Sequence, residues 1–295
     1  MSTFIYADTD PTQPSASIPY LEKDGVILRG VTKSMFDFSH PETYGAAGSM
    51  PIGTVFNNLV VGGGAGGVTG AGGTTFPPIF HGTVRTLGLV TGANGSNITL
   101  PDTFKLPSGT TRFLSILWLR MVKTGWPVVA QVNKAIAGWG TGVPSATQYA
   151  VTAVFDATGT ISAFRWTVYG SNSGVIQTSQ LEITSTTILN KILDGALHQI
   201  GCAYDIVSGT GTPSLYVDGE LVATGTGTVI TGLNMAGAAG QLFGLASAGS
   251  VTQPGYHELD TRIGRPQIHD LSSRNDISFV SVLTQDKNSA AGYLS

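Results

Sequence analysis

The chain has 295 residues, of which only 11% are charged, and it carries 40 glycines and a net charge of −3. Ordinary domains carry about 25% charged residues, so this composition argues against helix bundles and solvated disorder and favours a β-sandwich with many turns. The net charge is slightly negative, so the sequence gives no basic region that would indicate nucleic-acid binding. The single cysteine, Cys202, excludes an internal disulfide and a cysteine-based zinc site, and is expected to be a small core residue.

The first 24 residues contain three prolines among polar residues, a composition typical of an extended arm. They lack the basic and apolar regions of a secretory signal, and no apolar run in the chain approaches the ~18 residues of a membrane span. Residues 34–53 add aromatic side chains suited to lying on a partner protein. We therefore predict an N-terminal arm over residues 1–78. Its aromatic anchors to neighbouring subunits are Phe4, Tyr6, Tyr20, Phe36, Phe38 and Tyr44.

Residues 62–73 form a run in which eight of twelve positions are glycine. The run contains the G-x-G-x-x-G spacing of a dinucleotide-binding loop, but no helix pattern follows it. No acidic residue occurs between Glu42 and Asp102 to hold a ribose, and no Lys-Ser or Lys-Thr pair follows for a P-loop. We predict a flexible linker that ends the arm, followed by a sandwich domain over residues 79–295.

From Ile79 onward, apolar and β-branched runs recur roughly every 8–12 residues between turn signals, as in a sandwich. The longest strand candidate is Arg112–Val122, whose Trp118 is expected in the core together with Trp166. The further predicted strands are 148–155, 161–169, 175–183, 198–204, 214–217, 220–223 and 241–245.

The stretch Gly195–Thr224 has the most specific pattern in the chain. It alternates apolar and polar residues up to Tyr204 and breaks at the turn-forming run Ser208–Pro213. It then resumes as L-Y-V-D-G-E-L-V, in which Asp218-Gly219 is a two-residue hairpin signal. This pattern resembles the core hairpin of laminin G-like, concanavalin A-like jelly rolls. The resemblance implies an all-β jelly-roll sandwich preceded by the extended arm.

Glu258 and Asp260 occupy alternate positions on a predicted strand, an arrangement similar to that of laminarinase-type glucanases with this architecture. The next positions hold Arg262 and Ile263, so the third acid that retaining hydrolysis needs is missing. The five histidines match no metal motif, and the aspartates lie singly at turns rather than in a calcium-binding cluster. We therefore expect no enzymatic activity, no bound metal and no cofactor.

Three further aromatic residues lie in predicted loops beside glycine or proline: Trp126, Trp139 and Tyr256. An aromatic ring in such a loop is available to stack on a sugar or to contact a neighbouring protein. We predict these three as carbohydrate- or partner-binding residues, and both kinds of ligand remain open.

The combination of arm, jelly roll and missing catalytic constellation resembles a structural protein of a tailed-bacteriophage virion. That resemblance implies a non-enzymatic protein, made in the host cytoplasm, whose arm docks onto other virion proteins by strand addition. The jelly roll is expected on the particle surface in a symmetric homo-oligomeric assembly, at the tail, baseplate or fibre, where it binds host glycan. The alternatives are a capsid decoration (cement) protein and a glycan-degrading jelly-roll enzyme. Nucleic-acid binding and membrane insertion are not expected.

Overall fold

The computed structural model describes residues 24–38, 40, 42–43, 53–70, 79–81, 86–88, 96–125, 132–140, 144–235, 241–243, 246–247 and 262–290. The strands are β1 (Thr32–Met35), β2 (Val55–Asn57), β3 (Ala65–Gly70), β4 (Ile79–His81), β5 (Thr86–Gly88), β6 (Ser96–Leu100), β7 (Arg112–Val122), β8 (Val132–Gly140), β9 (Thr147–Phe155), β10 (Ile161–Asn172), β11 (Val175–Ile183), β12 (Asp194–Val207), β13 (Thr210–Val217), β14 (Glu220–Thr224), β15 (Thr228–Val229), β16 (Gly232–Leu233), β17 (Gln241–Phe243), β18 (Ala246–Ser247) and β19 (Arg262–Asp270). The α-helices are α1 (Thr186–Ile192) and α2 (Phe279–Ala290).

The strands form three antiparallel sheets. The nine-stranded sheet has the order β14-β13-β12-β7-β19-β5-β4, with β1 added to β19 and β15 added to β13. The six-stranded sheet has the order β11-β10-β9-β8-β18, with β16 added to β10, and the four-stranded sheet has the order β17-β6-β3-β2. The fold-class prediction of an all-β jelly-roll sandwich is confirmed.

The main core lies between the nine-stranded and six-stranded sheets. Phe113 of β7 packs against Tyr149 of β9 and Trp166 of β10, with ring centroids 5.8 and 6.0 Å apart, and against Tyr204 of β12 at 5.7 Å. The indole Nε1 of Trp166 also donates a hydrogen bond of 2.9 Å to the Ala203 carbonyl oxygen across the sandwich. Cys202 and Trp118 are buried as predicted, and burial raises the pKa of the Cys202 thiol.

Tight hairpins set the register of the strand pairs. Ser173, Ser208 and Asp218 have φ of 52°, 51° and 54°, and each is followed by a glycine that also has positive φ. Two consecutive left-handed residues make the type I′ turn that suits the twist of paired strands. The predicted Asp218-Gly219 turn is therefore confirmed.

The predicted break over residues 208–213 is wrong beyond its first two residues, because β13 begins at Thr210 and continues through Pro213. The Pro213 carbonyl accepts the N–H of Gly225 (2.8 Å) on the edge side of β13. A proline is tolerated there because its missing donor faces the edge and not the neighbouring central strand β12.

The prediction of an extended arm is wrong for the part that the structure describes. Residues 32–35 form β1, which pairs with β19 in the register Thr32↔His269. Phe36 and Phe38 are 0% exposed and contact the Phe56 ring edge-on, with centroids 4.9 and 5.1 Å away. These two residues are therefore core residues and not assembly anchors. The other predicted anchors, Phe4, Tyr6, Tyr20 and Tyr44, lie outside the described residues.

The glycine-rich run contains a strand, so the linker prediction is also wrong for residues 65–70. This strand, β3, pairs with β2 and β6. A Cβ atom at Gly66 would lie 2.2 Å from the Phe56 ring, so the absence of a side chain lets that ring lie directly on the strand.

A second apolar cluster covers the outer face of the nine-stranded sheet. We call residues 24–35 and α2, which supply one side of it, the cover; the last four residues of 24–35 are strand β1, which also pairs with β19. Gly201 of β12 makes this packing possible, since a Cβ atom there would lie 2.7 Å from Cδ2 of Leu283. The outer face of the six-stranded sheet instead presents mainly polar side chains to the surface, with Ile176 exposed at one end of β11.

Candidate functional site

The polar outer face of the six-stranded sheet follows from strict alternation along β10. Phe164, Trp166 and Val168 point into the main core, so the residues between and after them point outward. Pairing with β11 and β9 places further outward residues beside them. This surface, the polar face, consists of Ala150, Thr152, Arg165, Tyr169, Thr178, Gln180 and Glu182, together with Thr167, which is only 5% exposed.

One ion pair lies in the middle of the polar face. Arg165 and Glu182 are opposite each other on β10 and β11, and the Arg165 Nε donates to Glu182 Oε2. Gln180 Nε2 donates to the same oxygen at 3.2 Å. Because the two charges cancel, the polar face offers mainly hydroxyl and amide groups.

The hydroxyl of Tyr169 remains protonated at neutral pH. Burial raises the pKa of Tyr169, and the positive charge of Arg165 only partly offsets this effect. The phenol is therefore able to donate as well as accept a hydrogen bond.

The polar face lacks the groups that glycoside hydrolysis requires. Its only carboxylate is Glu182, whereas hydrolysis uses two carboxyl groups about 5–9.5 Å apart. Within the described ranges, no group of three or more His, Cys, Asp and Glu side chains is arranged to hold a metal ion. The acids considered above, Glu258 and Asp260, lie outside those ranges. No helix in the part of the chain that the structure describes is long and apolar enough to cross a membrane.

The binding role predicted for Trp139 is wrong. Its side chain is 3% exposed and belongs to the main core, opposite Tyr149. The glycines on either side suggested a loop, but they allow β8 to approach β9 closely. A Cβ atom at Gly138 would lie 2.4 Å from the Tyr149 carbonyl oxygen. Trp126 and Tyr256, predicted for the same role, lie outside the described residues.

The sequence carried one signal for the polar face, which is the alternation F-R-W-T-V-Y over residues 164–169. It identifies Arg165, Thr167 and Tyr169 as one face of a strand. It does not identify which sheet face stays open, because that depends on where α2 packs.

His198 forms a separate polar contact at the opposite sheet. Its Nδ1 lies 2.7 Å from Asp218 Oδ2 in the β13–β14 turn, and its Nε2 lies 3.0 Å from Asp194 Oδ1 at the start of β12. Asp218 Oδ1 also accepts the Gln199 N–H at 3.0 Å. Burial lowers the pKa of His198, but the hydrogen bonds and charges of Asp218 and Asp194 outweigh it, so the net shift is upward. When protonated, the ring donates to both carboxylates and so joins the turn to the strand.

We expect His198→Gln to destabilise the protein more at acid pH than at alkaline pH. A raised pKa in the folded state adds stability that is complete below the unfolded value of about 6.5 and disappears as pH rises through the folded value. The loss of unfolding free energy should be larger at pH 5.5 than at pH 9 by an amount on the order of 0.5–1 kcal/mol, because solvent screens this partly exposed group. Urea unfolding of both proteins between pH 5.5 and pH 9 measures it. A difference that grows with pH would contradict the assignment.

Comparison with known proteins gives similarity to solved structures only. No protein-family model matches the chain, and no curated protein matches it. The binding domain of botulinum neurotoxin DC, solved in complex with rat synaptotagmin II, has a TM-score of 0.47 and 9% identity, over 81% of this chain and 51% of that one. The botulinum neurotoxin serotype G binding domain has a TM-score of 0.46 and 14% identity, over 86% and 50%. The chain spans about half the length of these structures.

Proposed function

We propose that the chain is a non-enzymatic binding and display module whose polar face contacts a hydroxyl-rich partner, a surface polysaccharide. The observation that carries this proposal is the asymmetry of the sandwich. The cover occupies the outer face of the nine-stranded sheet, whereas the six-stranded sheet presents hydroxyl, amide and guanidinium groups on paired strands.

The chemistry of the polar face suits a polysaccharide better than a protein. Sugars offer many hydroxyl groups, and the side chains of Thr178, Gln180 and Tyr169 supply both donors and acceptors for them. Ala150 and Thr152 on the neighbouring strand β9 have small side chains that project little from the sheet. A flat ligand therefore has access to the side chains of β10 and β11. The tryptophans of this sandwich within the described residues are buried, so hydrogen bonds and not ring stacking would hold the sugar on this face.

We further propose that this module belongs to the virion of a tailed bacteriophage, at the tail, baseplate or fibre. The low charge, the abundance of glycine and the resemblance of the Gly195–Thr224 hairpin support this location. The docking role proposed for aromatic anchors applies to Phe4, Tyr6, Tyr20 and Tyr44. Quantitative mass spectrometry of purified particles tests the location, and absence from the particles contradicts it. Immunogold labelling separates a tail position from capsid decoration.

Arg165→Ala should weaken binding of purified host capsular polysaccharide or lipopolysaccharide by about tenfold or more. A hydrogen bond from a charged donor contributes about 1.5–3 kcal/mol, and Arg165 is the only cation of the polar face. Its side chain faces outward, so the core stays intact. Isothermal titration calorimetry compares wild type, Arg165→Ala and the control Arg274→Ala, whose side chain makes a similar surface pair with Asp276.

Two results would count against the proposal. Equal affinities of the wild type and Arg165→Ala would move the binding site away from the polar face. Release of reducing ends from the polysaccharide would show that the protein is an enzyme.

A further inference from the structure

The cover is held by a cluster distinct from the main core. The main core contains no residue of 24–35 and none of α2. The cover instead packs its apolar side chains on the outer face of the nine-stranded sheet. The residues involved are Val26, Ile27, Val31, Met35, Val282 and Leu283 of the cover and Leu114, Ile116, Ala203 and Tyr216 of the sheet. Loss of the cover therefore leaves the contact between the two large sheets in place.

A buried chain of hydrogen bonds joins the two parts of the cover through β19. Asp286 of α2 accepts a bond of 2.6 Å from Gln267 Nε2. The Gln267 Oε1 lies 2.9 Å from His269 Nε2, and His269 Nδ1 lies 3.0 Å from the hydroxyl of Thr32 in β1. That hydroxyl also accepts the N–H of Leu28 at 2.8 Å.

This series of hydrogen bonds fixes His269 in one neutral tautomer. Because Gln267 uses its amide nitrogen to bind Asp286, its oxygen faces His269 and needs a donor, which must be the Nε2–H. Nδ1 is then an acceptor, and the Thr32 hydroxyl donates to it. A proton on Nδ1 would place two donors against each other unless the hydroxyl turned to the Val26 carbonyl oxygen, which is 3.4 Å away.

The surroundings of His269 resist protonation even though acidic residues lie near it. The ring is 0% exposed. Burial lowers its pKa to about 4, and the negative charge of Asp286 raises it only partly. The carboxylates of Asp286, Asp24 and Asp37 all form ion pairs with the guanidinium of Arg265. On the outer side, Lys33 and Asp270 pair with each other at 3.9 Å.

We propose that the cover is an acid-released latch, in which proton uptake at Nδ1 of His269 breaks its hydrogen bond with Thr32, so that β1 separates from β19 and the cover opens while the two large sheets stay packed on each other. Opening gives His269 access to water and uncovers the apolar outer face of the nine-stranded sheet. Acid favours the open form because only that form accepts the proton readily.

Hydrogen–deuterium exchange on the full chain at pH 7.5 and pH 5.0 tests the latch. After correction for intrinsic exchange rates, amides of 282–290 and 26–32 should exchange roughly 30-fold faster at pH 5.0. This factor follows from a pKa near 4 when closed and about 6.5 when open. Amides of β9 and β10 should keep their protection, because the main core stays closed.

His269→Gln should abolish the acid-specific increase, whereas His198→Gln should retain it. Equal acid responses in wild type and His269→Gln would overturn the proposal, as would simultaneous loss of protection in the cover and in β9 and β10. An NMR titration of His269 in the wild type provides an outcome that does not depend on a variant that folds. A ring that titrates near pH 6.5 in the folded protein would also overturn it.

Discussion

Arg265→Met should lower the free energy of unfolding by about 3–5 kcal/mol, because it leaves buried carboxylates without their cation. Arg265 is 0% exposed, and its Nε and Nη2 donate to Asp286 Oδ1 at 3.1 and 2.9 Å. Its Nη1 donates to Asp24 Oδ2 at 3.1 Å and to Asp37. Burial lowers the pKa of Arg265, but the three carboxylates raise it by a larger amount. The net shift is upward, so the guanidinium is charged.

The backbone conformation of Arg265 depends on the same contacts. Arg265 has φ of 43° and lies where the pairing of β19 with β7 shifts register, between Gly264 and Gln267. A non-glycine residue in this conformation costs of order 1–3 kcal/mol and persists only when surrounding contacts hold it. Methionine at this position would have the same backbone cost but none of the ion pairs that hold the conformation.

Urea unfolding followed by circular dichroism measures the change for Arg265→Met. Arg274→Met is the matched control, since Arg274 makes a surface pair with Asp276 at 2.8 Å and should change stability by less than about 0.5 kcal/mol. Similar small losses for both variants would mean that the Arg265 cluster adds nothing that an apolar side chain cannot replace.

The strands that the sequence predicts best are those that lie between clear turn signals. Arg112–Val122 and Val175–Ile183 are predicted with the bounds that the structure shows, because local composition and turn signals suffice for them. β1 could not be predicted in this way. Its partner β19 lies more than 200 residues away, and no local pattern specifies that pairing.

Helix α2 was missed because an acid interrupts its apolar stripe. Val282, Leu283, Asp286 and Ala290 form its buried side, and the aspartate occupies a position where a hydrophobic residue would signal a helix. Asp286 is tolerated there because it accepts hydrogen bonds from Trp118, Gln199, Gln267 and Arg265. Those donors come from three different strands, so the reason for the exception exists only in the folded chain.

The candidate site shows the same limit. Alternation along β10 identifies the outward residues of the polar face. The sequence nevertheless directed attention to Trp139, because an aromatic residue between glycines is typical of an exposed loop. In the structure those glycines serve close packing of strands, and the ring lies in the core. Whether a glycine marks a loop or a close backbone approach depends on the neighbouring strand, which local sequence does not reveal.

Trp166→Ala should lower the free energy of unfolding by about 3–5 kcal/mol, the range for truncation of a large core aromatic residue. Trp166 is 1% exposed, and its ring contacts Phe113 of the nine-stranded sheet at 6.0 Å between centroids. Removal of the indole leaves a cavity between the two sheets that the surrounding strands cannot close.

Trp166→Phe separates packing from hydrogen bonding at the same position. Phenylalanine keeps an aromatic ring in the core but loses the bond from Nε1 to the Ala203 carbonyl oxygen, which contributes about 0.5–1.5 kcal/mol. We therefore expect its loss of stability to be less than half that of Trp166→Ala, with near-UV circular dichroism still showing ordered aromatic residues. If both variants lost the same stability, the hydrogen bond across the sandwich, rather than the volume of the ring, would hold β10 to β12.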